Sequence, residues 1–286
     1  MILNDIVLTL KNAGIENADY EARLIASHVT GISEAMLLSS KNEELKLSEE
    51  CEAALVEAVS RRAERYPLQY ILGKWEFMGI TFDVDERCLI PRSDTELLCE
   101  LAIEKLEKDG NFLDLCTGSG CIALSVAHHR PDVKVTALEK YPAPLAVAKK
   151  NCESLFDTKD RVRFVEADAC SHISALGYFG SERFDFIAAN PPYVTPEEMD
   201  GLEAELSYEP RHALTDECDG LTIIRAIIHI YRLFLKPRGY LAIEHGSTQG
   251  PSIRAIMRNL GCRCETLKDL GGNERVTVMR TPPYNI

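Results

Sequence analysis

The stretch Asn190-Pro191-Pro192-Tyr193 follows directly on the apolar run Phe184-Asp185-Phe186-Ile187-Ala188-Ala189. Two consecutive prolines donate no backbone hydrogen bonds and fix φ, so they end the run as a rigid loop. Asn190 supplies a side-chain carbonyl, and Pro191 and Pro192 leave peptide carbonyls with no neighbouring N–H. Tyr193 adds a flat apolar face with a polar tip. A loop of this kind suits a planar group bearing an NH2, and its four residues are the candidates for catalysis.

A second constellation lies upstream. Phe112-Leu113-Asp114-Leu115 reads as a strand running into Cys116-Thr117-Gly118-Ser119-Gly120 and then a helix. Gly118 and Gly120 permit positive φ and close backbone approach, so a nucleoside-bearing ligand can lie across the end of the first strand. Glu139 ends the next strand about twenty residues later, where a carboxylate can accept both ribose hydroxyls. Asp168, with Ala169 beside it, follows the third strand and could accept from an adenine amine. Taken singly, Glu139 and Asp168 are ordinary loop acids. Their shared place at strand carboxyl ends, with Asn190 on the same edge, makes them ligand candidates, because open α/β sheets bind there.

The elements that must position these residues can be read from periodicity. Strands are expected near 111–115, 133–139, 162–166, 184–189 and 239–244, with helices beginning near Ser119, Ala143 and Leu221. That alternation is the pattern of a parallel sheet wound on both faces. Cys262 to Lys268 and Arg275 to Met279 alternate as a terminal antiparallel pair around Gly271-Gly272-Asn273. Residues 1 to about 67 read as helices, one starting at Ser48 and ending at Arg61, Arg62 and Arg65 with charges that complement its dipole. Between Trp75 and Leu89, short apolar segments broken by Gly79 predict a β-hairpin.

Composition narrows the function. The 286 residues carry 32 basic and 45 acidic side chains, a formal charge of −13. That balance opposes capture of nucleic-acid phosphates and is easier to reconcile with a protein substrate. The ten cysteines are scattered, and neither Cys116/Cys121 nor Cys262/Cys264 has zinc spacing, so reduced thiols without a metal site are expected. His128-His129, at an expected helix end, is assigned to last-turn carbonyls. No signal-like or membrane-length apolar segment stands out, which places the chain in the cytoplasm.

With these motifs in order, the chain resembles, over nearly its whole length, the bacterial glutamine-specific methyltransferases that modify peptide-chain release factors. The resemblance rests on Pro67-Leu68-Gln69-Tyr70-Ile71-Leu72-Gly73, Ile90-Pro91-Arg92-Ser93-Asp94-Thr95-Glu96, the glycine turn and Asn190 to Tyr193. It continues through Glu209-Pro210-Arg211, Glu244-His245-Gly246, and Asp269-Leu270-Gly271-Gly272-Asn273-Glu274-Arg275-Val276. Cys116 stands where many members have glycine, and Ser93 where many have proline. The resemblance implies a small all-α substrate-docking domain over 1–73, a β-hairpin linker over 74–90, and a Rossmann-like class I methyltransferase domain over 91–286.

The cofactor so implied is S-adenosylmethionine, contacted by Cys116, Thr117, Gly118, Ser119, Gly120, Glu139, Asp168, Ala169 and Asn190. The substrate implied is the glutamine of a release factor's Gly-Gly-Gln motif, with no direct nucleic-acid or membrane partner. A glutamine amide is a poor nucleophile because its lone pair is delocalised. Asn190 and the Pro191 carbonyl would each accept one amide hydrogen and aim the lone pair, while Tyr193 packs on the amide plane. A sister group methylates a ribosomal protein's glutamine, and adenine-directed methyltransferases share the Asn-Pro-Pro-Tyr loop. A nicotinamide-dependent oxidoreductase would share the glycine turn and the acid after strand two, but not that loop.

Overall fold

The computed structural model describes residues 2–40, 42–155 and 161–283. Contacts divide the chain into two units, Met1–Trp75 with Glu203–Tyr208, and Glu76–Leu202 with Glu209–Ile286.

The first unit is helical: α1 (Leu3–Asn12), α2 (Ala18–Thr30), α3 (Glu34–Ser39), α4 (Glu49–Ala63) and α5 (Leu68–Leu72). Leu3, Ile6, Val7 and Leu10 form the buried face of α1, and Ala18, Ala22, Ile25 and Ala26 that of α2. These faces meet Leu37, Leu55 and Val59 in one apolar core. Ser48 caps α4 by accepting from the Cys51 N–H, while Glu49, Glu50 and Glu52 lie in its first turn and Arg61 and Arg62 in its last. The ends of α4 therefore carry the charges its dipole favours.

A segment distant in sequence completes this unit. Residues Ala204–Tyr208 form a 3₁₀ turn in which Glu205 takes both Arg62 at 3.0 Å and Arg65 at 2.9 Å. Arg62 is buried and also pairs with Glu21 at 2.5 Å. The Tyr208 ring stands edge-on to Tyr66 at 5.1 Å. Nothing in local sequence pattern marked residues 203–208 as belonging with the N-terminal helices, because ion pairing over 140 positions leaves no periodic trace.

The hairpin strands are β1 (Lys74–Phe77) and β2 (Ile80–Asp83), shorter than the stretch from Trp75 to Leu89 suggested. The second unit continues with α6 (Ser93–Lys105), β3 (Asn111–Leu115), α7 (Cys121–His129), β4 (Lys134–Glu139), α8 (Pro142–Ser154), β5 (Val162–Glu166), α9 (His172–Phe179) and β6 (Phe184–Ala189). Beyond β6 come the short helices α10 (Pro196–Met199) and α11 (Arg211–Leu214), then α12 (Thr222–Tyr231), β7 (Leu235–Glu244), α13 (Gly250–Asn259), β8 (Arg263–Lys268) and β9 (Glu274–Arg280).

The seven strands are ordered β5-β4-β3-β6-β7-β9-β8, parallel except for β9, which runs antiparallel to both β7 and β8. The chain steps outward from β3 to β5 and then returns to the other side of β3 with β6, so the carboxyl ends of β3 and β6 flank the switch point. Leu115 pairs with Ala189 across that junction. Phe112, Ala137, Phe186 and Ala242 pack on one face of the sheet, and Leu113, Leu138, Ile187 and Ile243 on the other. Both faces are covered, as expected of parallel strands with near-continuous apolar runs.

Three local expectations are corrected. The sequence pattern left α6, α9 and α13 unassigned; Gly177 lies inside α9, a glycine that weakens the helical pattern, and α6 carries charges on most of its turns. β7 begins at Leu235, ahead of the expected 239, and carries Pro237 on the way. His129 does not serve the last turn of α7. Its Nε2 pairs with the Met78 carbonyl of the hairpin at 3.1 Å.

Candidate functional site

The turn after β3 folds as its glycines require. Cys116, Gly118 and Gly120 have φ of 59°, 55° and 83°, all left-handed. Glycine adopts that region freely, whereas Cys116 does so at a steric cost. A Cβ on Gly118 would meet nothing within 4 Å, so that side of the turn is open. A Cβ on Gly120 would come within 3.1 Å of Ala148 and Leu124, so Gly120 serves the packing of α7 against α8. Thr117 and Ser119 are buried, and Thr117 Oγ1 donates to Asp114 Oδ2 at 2.5 Å. Burial pushes the Asp114 carboxyl up to about 7 against that hydrogen bond.

Glu139 ends β4 with both carboxylate oxygens accepting from backbone and acceptor capacity left over. Oε2 accepts from Gly118 N at 3.0 Å, and Oε1 from Lys140 N at 2.9 Å and Tyr141 N at 3.0 Å. Burial raises its pKa, and these three donors oppose the rise. Glu139 thus braces the glycine turn as well as facing the ligand edge. Asp168 lies after β5, where its Oδ1 accepts from Cys170 N at 2.8 Å and its Oδ2 pairs with Lys140 at 2.9 Å. Burial works to raise its pKa, but the Lys140 and Cys170 contacts prevail and hold it low.

A cavity of about 620 Å³ opens along these strand ends. It falls within the roughly 300–1,000 Å³ typical of small-molecule sites. Cys116, Gly118, Glu139, Asp168, Ala169, Asn190 and Pro192 all line it. Thr117, Ser119, Gly120, Pro191 and Tyr193 do not line it. The first three shape the turn, and the other two belong to the loop beside the cavity. Sequence reasoning missed Tyr141 and His212, which also line the cavity and whose rings lie 3.9 Å apart. Tyr141 had a signal, its place two residues after the strand-two acid; α11, which carries His212, is too short to show a period.

The Asn190 loop is held from several sides. Asn190 Nδ2 donates to Thr95 Oγ1 of α6 at 3.2 Å, which leaves Oδ1 as the end of the amide free to accept from a ligand. Gln249 Nε2 donates to the Tyr193 carbonyl at 2.9 Å and to the Gly220 carbonyl at 3.3 Å, while Gln249 Oε1 accepts from Gly246 N at 2.9 Å. Burial pushes the Tyr193 hydroxyl up to about 12, with Arg275 opposing. Arg275 in turn pairs with Asp269 at 3.1 Å and Asp94 at 3.2 Å. Ile90 N donates to Glu209 at 3.0 Å, and Arg92 pairs with the same buried carboxylate. The motifs that looked separate in sequence converge behind one loop.

The cavity lining suits an adenosine-bearing group: a carboxylate at Glu139 to accept from ribose hydroxyls, an open glycine at Gly118, and an aromatic ring at Tyr141. Residues 2–73 match the PrmC N-terminal domain and residues 93–244 the methyltransferase small domain. The release factor glutamine methyltransferase of Bordetella pertussis is 39% identical over 90% of this chain and 93% of its own. That of Salmonella typhimurium is 35% identical over 98% of both chains. Among solved structures, a methyltransferase from Pyrococcus furiosus superposes with a TM-score of 0.53 at 16% identity, covering 82% of this chain and 100% of that one. This last likeness establishes the fold.

Proposed function

The chain belongs to the release factor glutamine methyltransferase family, and from that premise we infer that it methylates the side-chain amide nitrogen of the glutamine in a release factor's Gly-Gly-Gln motif. S-adenosylmethionine, when bound, supplies the electrophilic methyl group. Glu139 would hold its ribose hydroxyls, Gly118 would admit its close approach, and Tyr141 and Ala169 would border its base.

The observation that carries the mechanism is the orientation of Asn190. With Nδ2 tied to Thr95, Oδ1 is the acceptor offered to a substrate N–H. The Pro191 carbonyl, whose following residue Pro192 has no N–H, offers a second. Two acceptors fixed by a rigid loop hold both amide hydrogens, draw the nitrogen lone pair out of conjugation and point it along one direction. Hydrogen bonds of this kind strengthen as the nitrogen becomes cationic and its protons more acidic, so they favour the transition state over the ground state. Tyr193 keeps its proton at any physiological pH, which makes it a packing and hydrogen-bonding group. No strong base is needed: the N–C bond would form as the methyl's bond to sulfur breaks, and the nitrogen's proton, made acidic by that bond, would then pass to water.

The helical unit is assigned to docking the release factor, since its helices expose Met36 and Leu38 on α3 and Leu8 on α1. Incubating the enzyme and cofactor with purified release factors and ribosomal proteins, followed by mass spectrometry, tests the substrate. A methyl on the Gly-Gly-Gln glutamine is expected. A methyl found only on a ribosomal protein would transfer the chain's activity to that substrate.

A further inference from the structure

Asn190 can serve as an acceptor only if its amide does not flip, and the two ends of an amide differ little in shape. Something must distinguish them. Ala189 of β6 pairs with Ile243 of β7, so the next residues along, Asn190 and Glu244, stand side by side at the carboxyl ends of neighbouring parallel strands. Thr95, in the first turn of α6, lies against both. Thr95 and Glu244 are each 2% exposed. Burial pushes the Glu244 carboxyl up to about 7, while Thr95 and Asn190, within its hydrogen-bonding reach, favour its charged form; its Oε2 has no hydrogen-bond partner among the described residues.

A hydroxyl has one hydrogen to give, whereas an ionised carboxylate has none. When Thr95 directs its hydrogen to Glu244, its oxygen presents lone pairs to Asn190 and can only accept. The amide must then turn Nδ2 inward and Oδ1 outward.

We propose that Glu244 and Thr95 form a positioning pair that sets the polarity of Asn190 for catalysis, the buried carboxylate fixing the direction of the Thr95 hydroxyl and the hydroxyl fixing the amide. This rests on Asn190 being the substrate acceptor inferred above. Glu244 touches no substrate in this arrangement. Its contribution is to abolish the flipped amide, in which an N–H would face the substrate N–H and repel it. Protonation of Glu244 would let the carboxyl donate to Thr95, reverse the hydroxyl and favour the flip. The charged groups facing Glu244 are Arg275 on β9 and Asp94 on α6, which act in opposite directions.

The test compares Thr95→Val, Thr95→Ser, Glu244→Gln and Asn190→Ala by kcat and KM for release-factor methylation, with S-adenosylmethionine affinity and thermal melting measured alongside. Thr95→Val, which keeps the shape and removes the hydroxyl, should lower kcat on the order of a hundredfold, the loss typical of a misoriented reacting group, with cofactor affinity unchanged. Thr95→Ser should restore most of it. Glu244→Gln, which can donate as well as accept, should lower kcat about tenfold and flatten its dependence on pH. Thr95→Val in the Asn190→Ala background should cost nothing further, because the pair acts through that amide.

Wild-type kcat in both Thr95→Val and Glu244→Gln, with Asn190→Ala inactive, would overturn the proposal and leave the role of Asn190 standing. Wild-type kcat in Asn190→Ala itself would remove the reading on which both depend. Should Thr95→Val fail to fold, Glu244→Gln carries the same decision, since an unchanged pH profile there overturns the pair by itself.

Discussion

Gln249 donates to the Tyr193 carbonyl at 2.9 Å across 56 positions of sequence, tying the turn before α13 to the last residue of the Asn-Pro-Pro-Tyr loop. Gly220 completes this tie, because a Cβ there would sit 2.3 Å from the Tyr193 oxygen and 2.6 Å from Gln249 Nε2. Only glycine admits both neighbours at its φ of 70°. Gln249→Ala should therefore lower methyl-transfer turnover on the order of ten- to a hundredfold while cofactor affinity stays within twofold. Equal losses in cofactor affinity and turnover would show that Gln249 supports the whole pocket instead of the loop.

Glu139 has two duties that substitution can separate. Glu139→Ala should weaken S-adenosylmethionine binding by about tenfold or more, the worth of a charge-assisted hydrogen bond, and also lower the melting temperature of the free protein, since Gly118 loses its acceptor. Calorimetric titration and thermal melting read the two effects. Unchanged affinity with a lowered melting temperature would reduce Glu139 to a brace for the glycine turn.

Asp114 predicts a pH dependence of stability with a definite sign. Its carboxyl is pushed up to about 7 in the fold, from 3.8 when unperturbed. Between those values the folded protein retains a proton that the unfolded chain gives up, so stability falls as pH rises from about 4 to about 7 and levels off above. Glu139, the charged neighbour, adds to the rise. Asp114→Asn keeps an acceptor for Thr117 and removes the titration. Its melting temperature relative to wild type should climb steadily across that window, and a difference that is flat with pH would contradict the assignment.

Ser93 is the first residue of α6, following Arg92 in extended conformation at φ −104° and ψ 144°. Proline prefers that first helical position, and the extended residue before it is the conformation proline demands. Ser93→Pro should stabilise the protein by about 0.4–1 kcal/mol, chiefly by restricting the unfolded chain. Chemical denaturation measures it. A loss of stability would mean that the backbone at Ser93 is less suited than Arg92 suggests.

Met36, 63% exposed on α3, tests the docking role of the helical unit. Met36→Asp, with Leu38→Asp as a companion, should raise KM for an intact release factor several-fold and leave a short Gly-Gly-Gln peptide unaffected. Equal KM for both substrates in the variants would place docking elsewhere.

The sequence pattern was informative where chemistry and periodicity coincide. The strands that carry Asp114 and Glu139, and the strand that leads into Asn190, lie where alternating apolar runs place them, and Gly118, Glu139, Asp168 and Asn190 meet along one cavity because strand carboxyl ends share an edge. What the pattern did not show are contacts between side chains far apart in the chain. Thr95 looks like any first-turn threonine until Asn190 is placed beside it, and Glu205 like any surface acid until Arg62 and Arg65 close on it. Helices as short as α11, which brings His212 to Tyr141, offer too few residues for a period to emerge.

Cys116 gives this chain a chemical address. It puts a thiol on the wall of the cavity, at a left-handed position that glycine would fill without steric cost. Burial holds that thiol well above its ordinary pKa, so mild alkylating agents should pass it by. A cavity-filling ligand that held a strong electrophile beside Gly118 would react here only through the small thiolate fraction that the raised pKa leaves. Covalent labelling of this cavity wall therefore depends on a bound ligand holding its electrophile in place and not on the reactivity of the thiol itself.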